Sequence, residues 1–506
     1  MARATLLLAI LLALAGCAGP SWTVHPAADR PEAGTVGRCA AFFRGLDAAV
    51  AEADVGDAQA ARIPGFPYLR VNRFLASFRD EVKAPERFRA WVDRLLALDR
   101  EARRIELANL PAERRQRLAT DGSPMERVQA CGTTLRQADL ADPENREALR
   151  RRAVVPGEYR TSWRIAGLYP LTAPIVRANI DAWMAQLQEV FATPLEALPV
   201  RGELQRYRPP RMVDLPPDEV ARLVEGAADN PLGIPEPQDE ALHRLYAAFA
   251  PVLEVDTKVD ADRIGRIVQR ADGPPQVKTD RPVAYRRLSH TRYNGQVLLQ
   301  LNYVVWFPAR PKTGTFDLYG GHLDGLHVRV TLGADGTPWM VEAVHNCGCY
   351  HMFFPTGPLR VRQDLPNHPW YEPPRVPQSA PATAPDERMV LRLAQRTHMV
   401  QRVYADKKEG GRPYTWQPYN ALRALPLADG DRASLFDPDG LIPSSRRLES
   451  LLLWPMGIPL PGGMRQWGHH PIAFVGRRHL DDSDLLHKLF EVRGRAGSTP
   501  SPASRR

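Results

Sequence analysis

The run Gln296-Val297-Leu298-Leu299-Gln300-Leu301-Asn302-Tyr303-Val304-Val305-Trp306-Phe307 decides the fold, because its β-branched and aromatic residues have the spacing of a strand. Tyr293-Asn294-Gly295 precedes it, and Asn-Gly supports the positive φ angles that a two-residue hairpin turn needs. Upstream, Val283-Ala284-Tyr285-Arg286-Arg287-Leu288 is its partner strand. Downstream, Leu326 to Leu332 and Trp339 to Val344 flank Ala334-Asp335-Gly336-Thr337, where Asp-Gly marks a second hairpin. Tyr285 to Phe354 therefore reads as antiparallel β-structure, a sandwich or half-open barrel rather than a doubly wound sheet. The chain holds no GxGxxG, P-loop or GxSxG pattern.

Toward the N-terminus the period becomes helical. Phe88, Trp91, Val92, Leu95 and Leu96 make one apolar stripe behind Pro85, whose missing N–H costs little in a first turn. Ile175, Val176, Ile180, Trp183, Met184, Leu187, Val190 and Phe191 make another, with Thr172 as its N-cap and Pro194 beyond its end. Glu101 to Gln137 is rich in charge and reads as exposed helix, and Ile63 to Arg70 as a rigid apolar turn. The expected class is α+β. A mainly helical domain (39–199) is followed by a proline-rich connector with short helices at Asp218–Glu225 and Asp239–Phe249 (200–249). A β-rich, sandwich-like antiparallel domain (250–493) comes next, with a proline-rich surface loop at 369–385. The small, polar, basic stretch 494–506 reads as a disordered tail.

The chain has 506 residues, too many for one core, and 48 prolines, so its elements are short and joined by stiff loops. Its formal charge of +9 comes from scattered arginines without a nucleic-acid motif. That excludes nucleic acid as the expected partner and favours an anionic lipid or glycan. At the N-terminus Arg3 precedes the apolar run Leu6 to Leu14, too short to span a bilayer, and Leu14-Ala15-Gly16-Cys17 follows.

That ending resembles the bacterial lipobox. The resemblance implies a signal peptide at 1–16, cleavage before Cys17, acylation of its thiol, and a lipid anchor and tether at 17–38. Ala18 after the cysteine implies the outer membrane, facing the periplasm. In that oxidising compartment Cys39 and Cys131, which bracket the first helical stretch, are expected to pair.

The densest chemistry lies in Gly320-Gly321-His322-Leu323-Asp324-Gly325-Leu326-His327 and His345-Asn346-Cys347-Gly348-Cys349-Tyr350-His351. On a strand, His345, Cys347, Cys349 and His351 would share one face, with neighbours about 6.7 Å apart and the ends about 20 Å apart. One ion would take two of them, or more if Gly348 bends the chain. His322 and Asp324 form a second pair, and His345, His351 or His398 would complete a site for one divalent metal, zinc or calcium. An iron site ranks lower. Cys347 and Cys349 have four readings: a tight disulfide, thiolate ligands, a nucleophile activated by His345 or His351, or unpaired buried thiols. His290, His327, His469, His470 and His479 read as ordinary surface or satisfied residues.

The order of aromatic strand (Leu299 to Phe307), Gly321-His322 turn, alternating strand (Leu326 to Leu332), second strand and His345 with Gly348 and Tyr350 resembles the core of the necrosis-inducing-protein and vacuolar-protein-sorting-associated β-sandwich families. The resemblance covers about a hundred residues and implies a β-sandwich with a divalent cation beside the turn, hence roles for His322, Asp324 and His345. Leu326 and His327 stand where those families carry Trp-Glu, and Cys347-Gly348-Cys349 is foreign to them. Two functional expectations follow. The first is an outer-membrane lipoprotein with a metal-dependent, hydrolytic site. The second is a non-catalytic envelope lipoprotein that binds a glycan, lipid or protein, its His/Cys cluster only bracing loops; a thiol enzyme ranks third.

Overall fold

The computed structural model describes residues 34–119, 122–270, 272–407 and 410–493. The signal peptide, Cys17, most of the tether and the tail at 494–506 lie outside these residues. The N-terminal region is built on α1 (Gly34–Glu52), α2 (Pro85–Asn109), α3 (Pro124–Leu140) and α4 (Tyr169–Ala192). Pro85 opens α2, and Phe88, Trp91, Val92, Leu95 and Leu96 are buried as their spacing requires. Cys39 on α1 and Cys131 on α3 form a disulfide with a Cα–Cα distance of 4.9 Å. Its sequence separation of 92 residues gives it a stabilising effect of about 4 kcal/mol in the chain-entropy account.

Three expectations for this region change. Ile63 to Arg70 is a hairpin of β1 (Ala61–Ile63) and β2 (Phe66–Val71), turning at Gly65 with φ +86°. The charged stretch from Glu101 is only partly exposed: Arg103 and Glu106, with Asp99 before them, continue the buried stripe of α2, and the two acids meet Arg70 of β2. Arg70 reaches Glu106 at 2.6 Å and Asp99 at 3.2 Å, so these buried charges are compensated. Helix α4 begins before Thr172: Leu168 takes a left-handed φ of 49°, Pro170 occupies the first turn, and the Thr172 hydroxyl donates to the Gly167 carbonyl.

The second region is built on two facing sheets, with three short two-stranded pairs beside them among the described residues. The strands of the two sheets are β3 (Glu203–Arg208), β4 (Val252–Thr257), β5 (Val283–Tyr293), β6 (Gln296–Arg310), β7 (Gly321–Leu332), β8 (Pro338–His345), β9 (Met352–Pro355), β10 (Glu387–Leu393), β11 (Val400–Lys407), β12 (Arg412–Pro413) and β13 (Thr415–Pro418). One sheet has the order β9-β8-β7-β6-β5-β13 and the other β11-β10-β4-β3-β12. The hairpin turns at Asn294-Gly295 and around Gly336 stand where the sequence puts them. Pairing is antiparallel except for β13 beside β5, β10 beside β4 and β12 beside β3, which are parallel. The expected connector is part of this region, since β3 pairs with β4; α5 (Pro217–Gly226) and α6 (Asp239–Phe249) are the two helices read from it.

Leu299, Leu301, Tyr303, Val305 and Phe307 of β6 meet Leu253, Val255, Leu391 and Leu393 of the facing sheet in one core. On the opposite face of β6, Val304 and Trp306 join a second core with Trp467, Leu486 and Phe490. Burial on both faces explains why β6 reads as a nearly continuous apolar run. The loop at 369–385 contains no helix or strand, but it is anchored inward: Glu372 is buried and accepts the backbone N–H of Phe474 at 2.8 Å. The two regions meet through Arg423 and Asp57 at 2.7 Å and through Arg73 and Asp481 at 2.9 Å.

Candidate functional site

Asp324 lies opposite Phe307 in the β6–β7 pairing, and His345 lies opposite Leu326 in the β7–β8 pairing, so both side chains share the face that packs on the second sheet. The second sheet contributes the rest. Because β10 and β4 run in parallel, both strands leave the sheet at the same end, and the turns that follow them are neighbours. Asp262, beyond β4, and His398, beyond β10, are thereby brought together although far apart in sequence.

The four side chains form a line. Nδ1 of His345 is 3.3 Å from Oδ1 of Asp324, and Nδ1 of His398 is 2.8 Å from Oδ2 of the same carboxylate. Nε2 of His398 is 3.4 Å from Oδ1 of Asp262, an ion-pair distance without hydrogen-bond geometry. Asp262 accepts the backbone N–H groups of Lys258 at 2.9 Å, Val259 at 3.0 Å and Arg396 at 2.7 Å. His398 stacks flat on Phe307, with ring centroids 3.8 Å apart. Gly325 is required next to Asp324, since a Cβ there would lie 2.1 Å from Nδ2 of Asn346, which donates to the Val305 carbonyl.

Burial divides the charges unequally. It would raise the Asp324 carboxyl, but the imidazoles of His345 and His398 hold it well below the usual carboxylate range. Burial would lower His398, but Asp262 and Asp324 outweigh it and raise this imidazole above its ordinary value. His345 has one carboxylate rather than two; burial dominates there and lowers it. The balance is an imidazolium at His398 between two carboxylates, with a neutral imidazole at His345. Nδ1–H of His345 donates to Asp324, and its Nε2 is buried without a hydrogen-bond partner.

The other expected site residues are elsewhere. His322 donates from Nε2 to the Pro275 carbonyl at 2.7 Å. His351 is on the opposite face of the sheet, because the expected strand from His345 to His351 is a turn. Strand β8 ends at His345 and β9 begins at Met352, with Gly348 at φ +88° and Tyr350 at φ +56° between them. A Cβ at Gly348 would lie 2.4 Å from the Pro471 carbonyl oxygen, so the period-two reading fails at this glycine. His351 instead donates to Glu342 at 3.0 Å, whose carboxylate also takes Arg329 at 2.7 and 2.5 Å. Cys347 and Cys349 are free, buried thiols. The Cys349 N–H donates to the Cys347 sulfur at 3.3 Å; separately, the side-chain hydrogen bond between the two thiols, together with burial, pushes the Cys349 thiol well above its ordinary value. A thiol in that state is neither a ready nucleophile nor a thiolate ligand. Among the described residues, no three His, Cys, Asp or Glu side chains are grouped so as to hold a metal ion.

Sequence reasoning missed Asp262, Arg310 and Glu449. Arg310 lies under the Tyr350 ring at 5.6 Å, and Tyr350 in turn meets the edge of His345 at 5.2 Å. Glu449 is buried nearby and raised to about 7: burial outweighs Arg310 and Arg447, and Asp324 adds to the rise. One signal was available for it, since Glu449 is the sole acid between Asp439 and Asp481. A cavity of about 10 Å³ beside the Cys347–Tyr350 turn has room for a single water. No protein-family model, curated protein or solved structure matches this chain.

Asp324→Asn removes the charge that faces two imidazoles and is expected to lower unfolding stability by about 3–5 kcal/mol in denaturant titrations. Glu449 gives the pH-dependent test. Its folded value of about 7 lies above its ordinary 4.5, so the stability it contributes is full below 4.5 and is lost as pH rises through 7. Glu449→Gln is therefore expected to raise stability at pH 8 by roughly 2–3 kcal/mol and to leave it unchanged at pH 4, measured by the same titrations.

Proposed function

We propose that this chain is a non-catalytic lipoprotein of the cell envelope, held at the outer membrane through Cys17 and facing the periplasm, which acts by binding. In this reading the His/Asp cluster braces the loops between its two sheets. One observation carries it: the carboxylate oxygens of the cluster are taken up by its own imidazoles and by loop amides. Asp324 spends both oxygens on His345 and His398, His398 is placed between two carboxylates, and Asp262 spends its oxygens on loop amides. The Leu14-Ala15-Gly16-Cys17 ending supports the address, and the Cys39–Cys131 disulfide agrees with an oxidising compartment. Labelling with a fatty-acid precursor in a Gram-negative host is expected to mark the wild-type chain in the outer-membrane fraction and to leave Cys17→Ser unlabelled. An unlabelled wild type, or a labelled variant, contradicts the anchor.

A metal-dependent hydrolytic reading has one observation in its favour. The buried Nε2 of His345 has no partner, and beside Asp324 it offers a nitrogen to a divalent ion. Zinc or calcium added at equimolar concentration separates the two readings: the bracing account expects no change in Tm, whereas an ion bound at His345 raises it, and Asp324→Asn abolishes that rise.

A further inference from the structure

Eight of the fifteen large apolar side chains that stand exposed among the described residues belong to two adjoining segments and their border. Ile165, Leu168, Leu171 and Ile175, in the short helix Thr161–Ala166, the turn after it and the first half of α4, are 71%, 60%, 67% and 64% exposed. Leu451 and Leu452, both 61% exposed, and Trp454 come from the short helix Ser450–Leu453 and the turn after it. The segments are fastened together. The Arg160 N–H donates to the Gly457 carbonyl at 2.7 Å, Nε of Arg164 to the Met456 carbonyl at 2.8 Å, and a Cβ on Gly167 would lie 2.5 Å from the Pro455 side chain. The indole N–H of half-exposed Trp370 donates to the Pro170 carbonyl at 3.1 Å and adds an aromatic edge.

Helix periodicity explains the exposure. Ala173, Val176 and Ile180 turn inward against Met456, Ile458 and Val475, which leaves Leu168, Leu171 and Ile175 on the outer face. An apolar surface of this extent on a folded protein marks an interaction site.

We propose that this face docks in the headgroup region of an anionic lipid bilayer. The charge around it selects this occupant. No acidic residue occurs between Glu158 and Asp181, and the sole acid between Asp439 and Asp481 is the buried Glu449. The exposed charges of these segments are cations: Arg160, Arg446, and Arg477, which donates to the Thr161 hydroxyl at 2.9 Å. Apolar side chains, indoles at the edge and arginines without acids are the combination that rests in the interface of an anionic membrane, the apolar groups entering the acyl boundary and the arginines meeting phosphate. The inference rests on the membrane address proposed above and gives the anchored chain a second contact, which orients it on the surface.

The test uses the chain from Ala18 onward, which keeps every described residue and carries no acyl group, so its outcome is separate from that of Cys17 labelling. It is sedimented with vesicles of phosphatidylcholine containing roughly a third phosphatidylglycerol, and with phosphatidylcholine alone. The expected result is co-sedimentation with the anionic vesicles and a blue shift of tryptophan emission. Binding is expected to fall about tenfold or more with neutral vesicles, and likewise for Leu171→Asp/Ile175→Asp and for Leu451→Ser/Leu452→Ser. Thermal melts of both variants are expected to match the wild type, because the changed side chains are exposed. Failure of the wild type to bind, or binding that survives both double substitutions, overturns the proposal. So does a concentration-dependent dimer that Leu171→Asp/Ile175→Asp dissociates without any vesicle binding, since the face then belongs to a second copy. Vesicle binding without Cys17 acylation would leave this inference standing and remove the anchor.

Discussion

An ionised carboxylate shut away from water destabilises a fold by several kcal/mol unless charged or hydrogen-bonding groups are brought to it. Asp324 is in that position, at the seam between the two sheets. Its compensation comes from outside its own sheet. His398 supplies the positive charge; His398 in turn needs Asp262, and Asp262 is held by the amides of the turn it closes. Each partner belongs to a different loop, so satisfying one charge fixes the path of the chain around Asp324, beyond His345, beyond β4 and beyond β10. The requirement is geometric as much as energetic. Leu326, Val328, Leu391 and Leu393 would hold the sheets together in several relative positions, whereas few of those positions leave Asp324 paired.

The rest of the molecule repeats this economy of buried charge. On the other face of the six-stranded sheet Glu342 gathers Arg329 and His351. In the helical region Glu106 and Asp99 gather Arg70 and Arg103, and Arg423 reaches Asp57 across the boundary between regions. Replacing one of these groups alone would leave a charge uncompensated, and the arginines that look scattered in the sequence include several of the most buried side chains.

What was legible in the sequence was local. Asn294-Gly295 and Asp335-Gly336 declared their hairpins because few other pairs accept those turns, and α5 and α6 stand close to where their stripes put them. The candidate site was legible in part: Asp324, His345 and His398 do meet, but His322 and His351 do not join them. The reason for His351 is a single glycine. Gly348 turns the chain between β8 and β9 and sends the two ends of the His345–His351 segment to opposite faces. Asp262 was invisible for a different reason, since its place depends on the parallel pairing of β4 with β10, two strands separated in sequence by five strands of the six-stranded sheet. Arg103 and Glu106 look like surface charges until Arg70, on a strand of another element, is placed against them.

The central claim is that the buried cluster is a fixed pattern of charge: an imidazolium at His398 between two carboxylates, and a neutral His345. Nitrogen-15 NMR of the histidine side chains across pH 5–9 tests it most directly. The account predicts that His398 keeps both ring protons above pH 6.5, the ordinary histidine value, and that His345 is neutral at pH 7 with its proton on Nδ1. A neutral His398 at pH 7, or a His345 that carries the charge in its place, would contradict it.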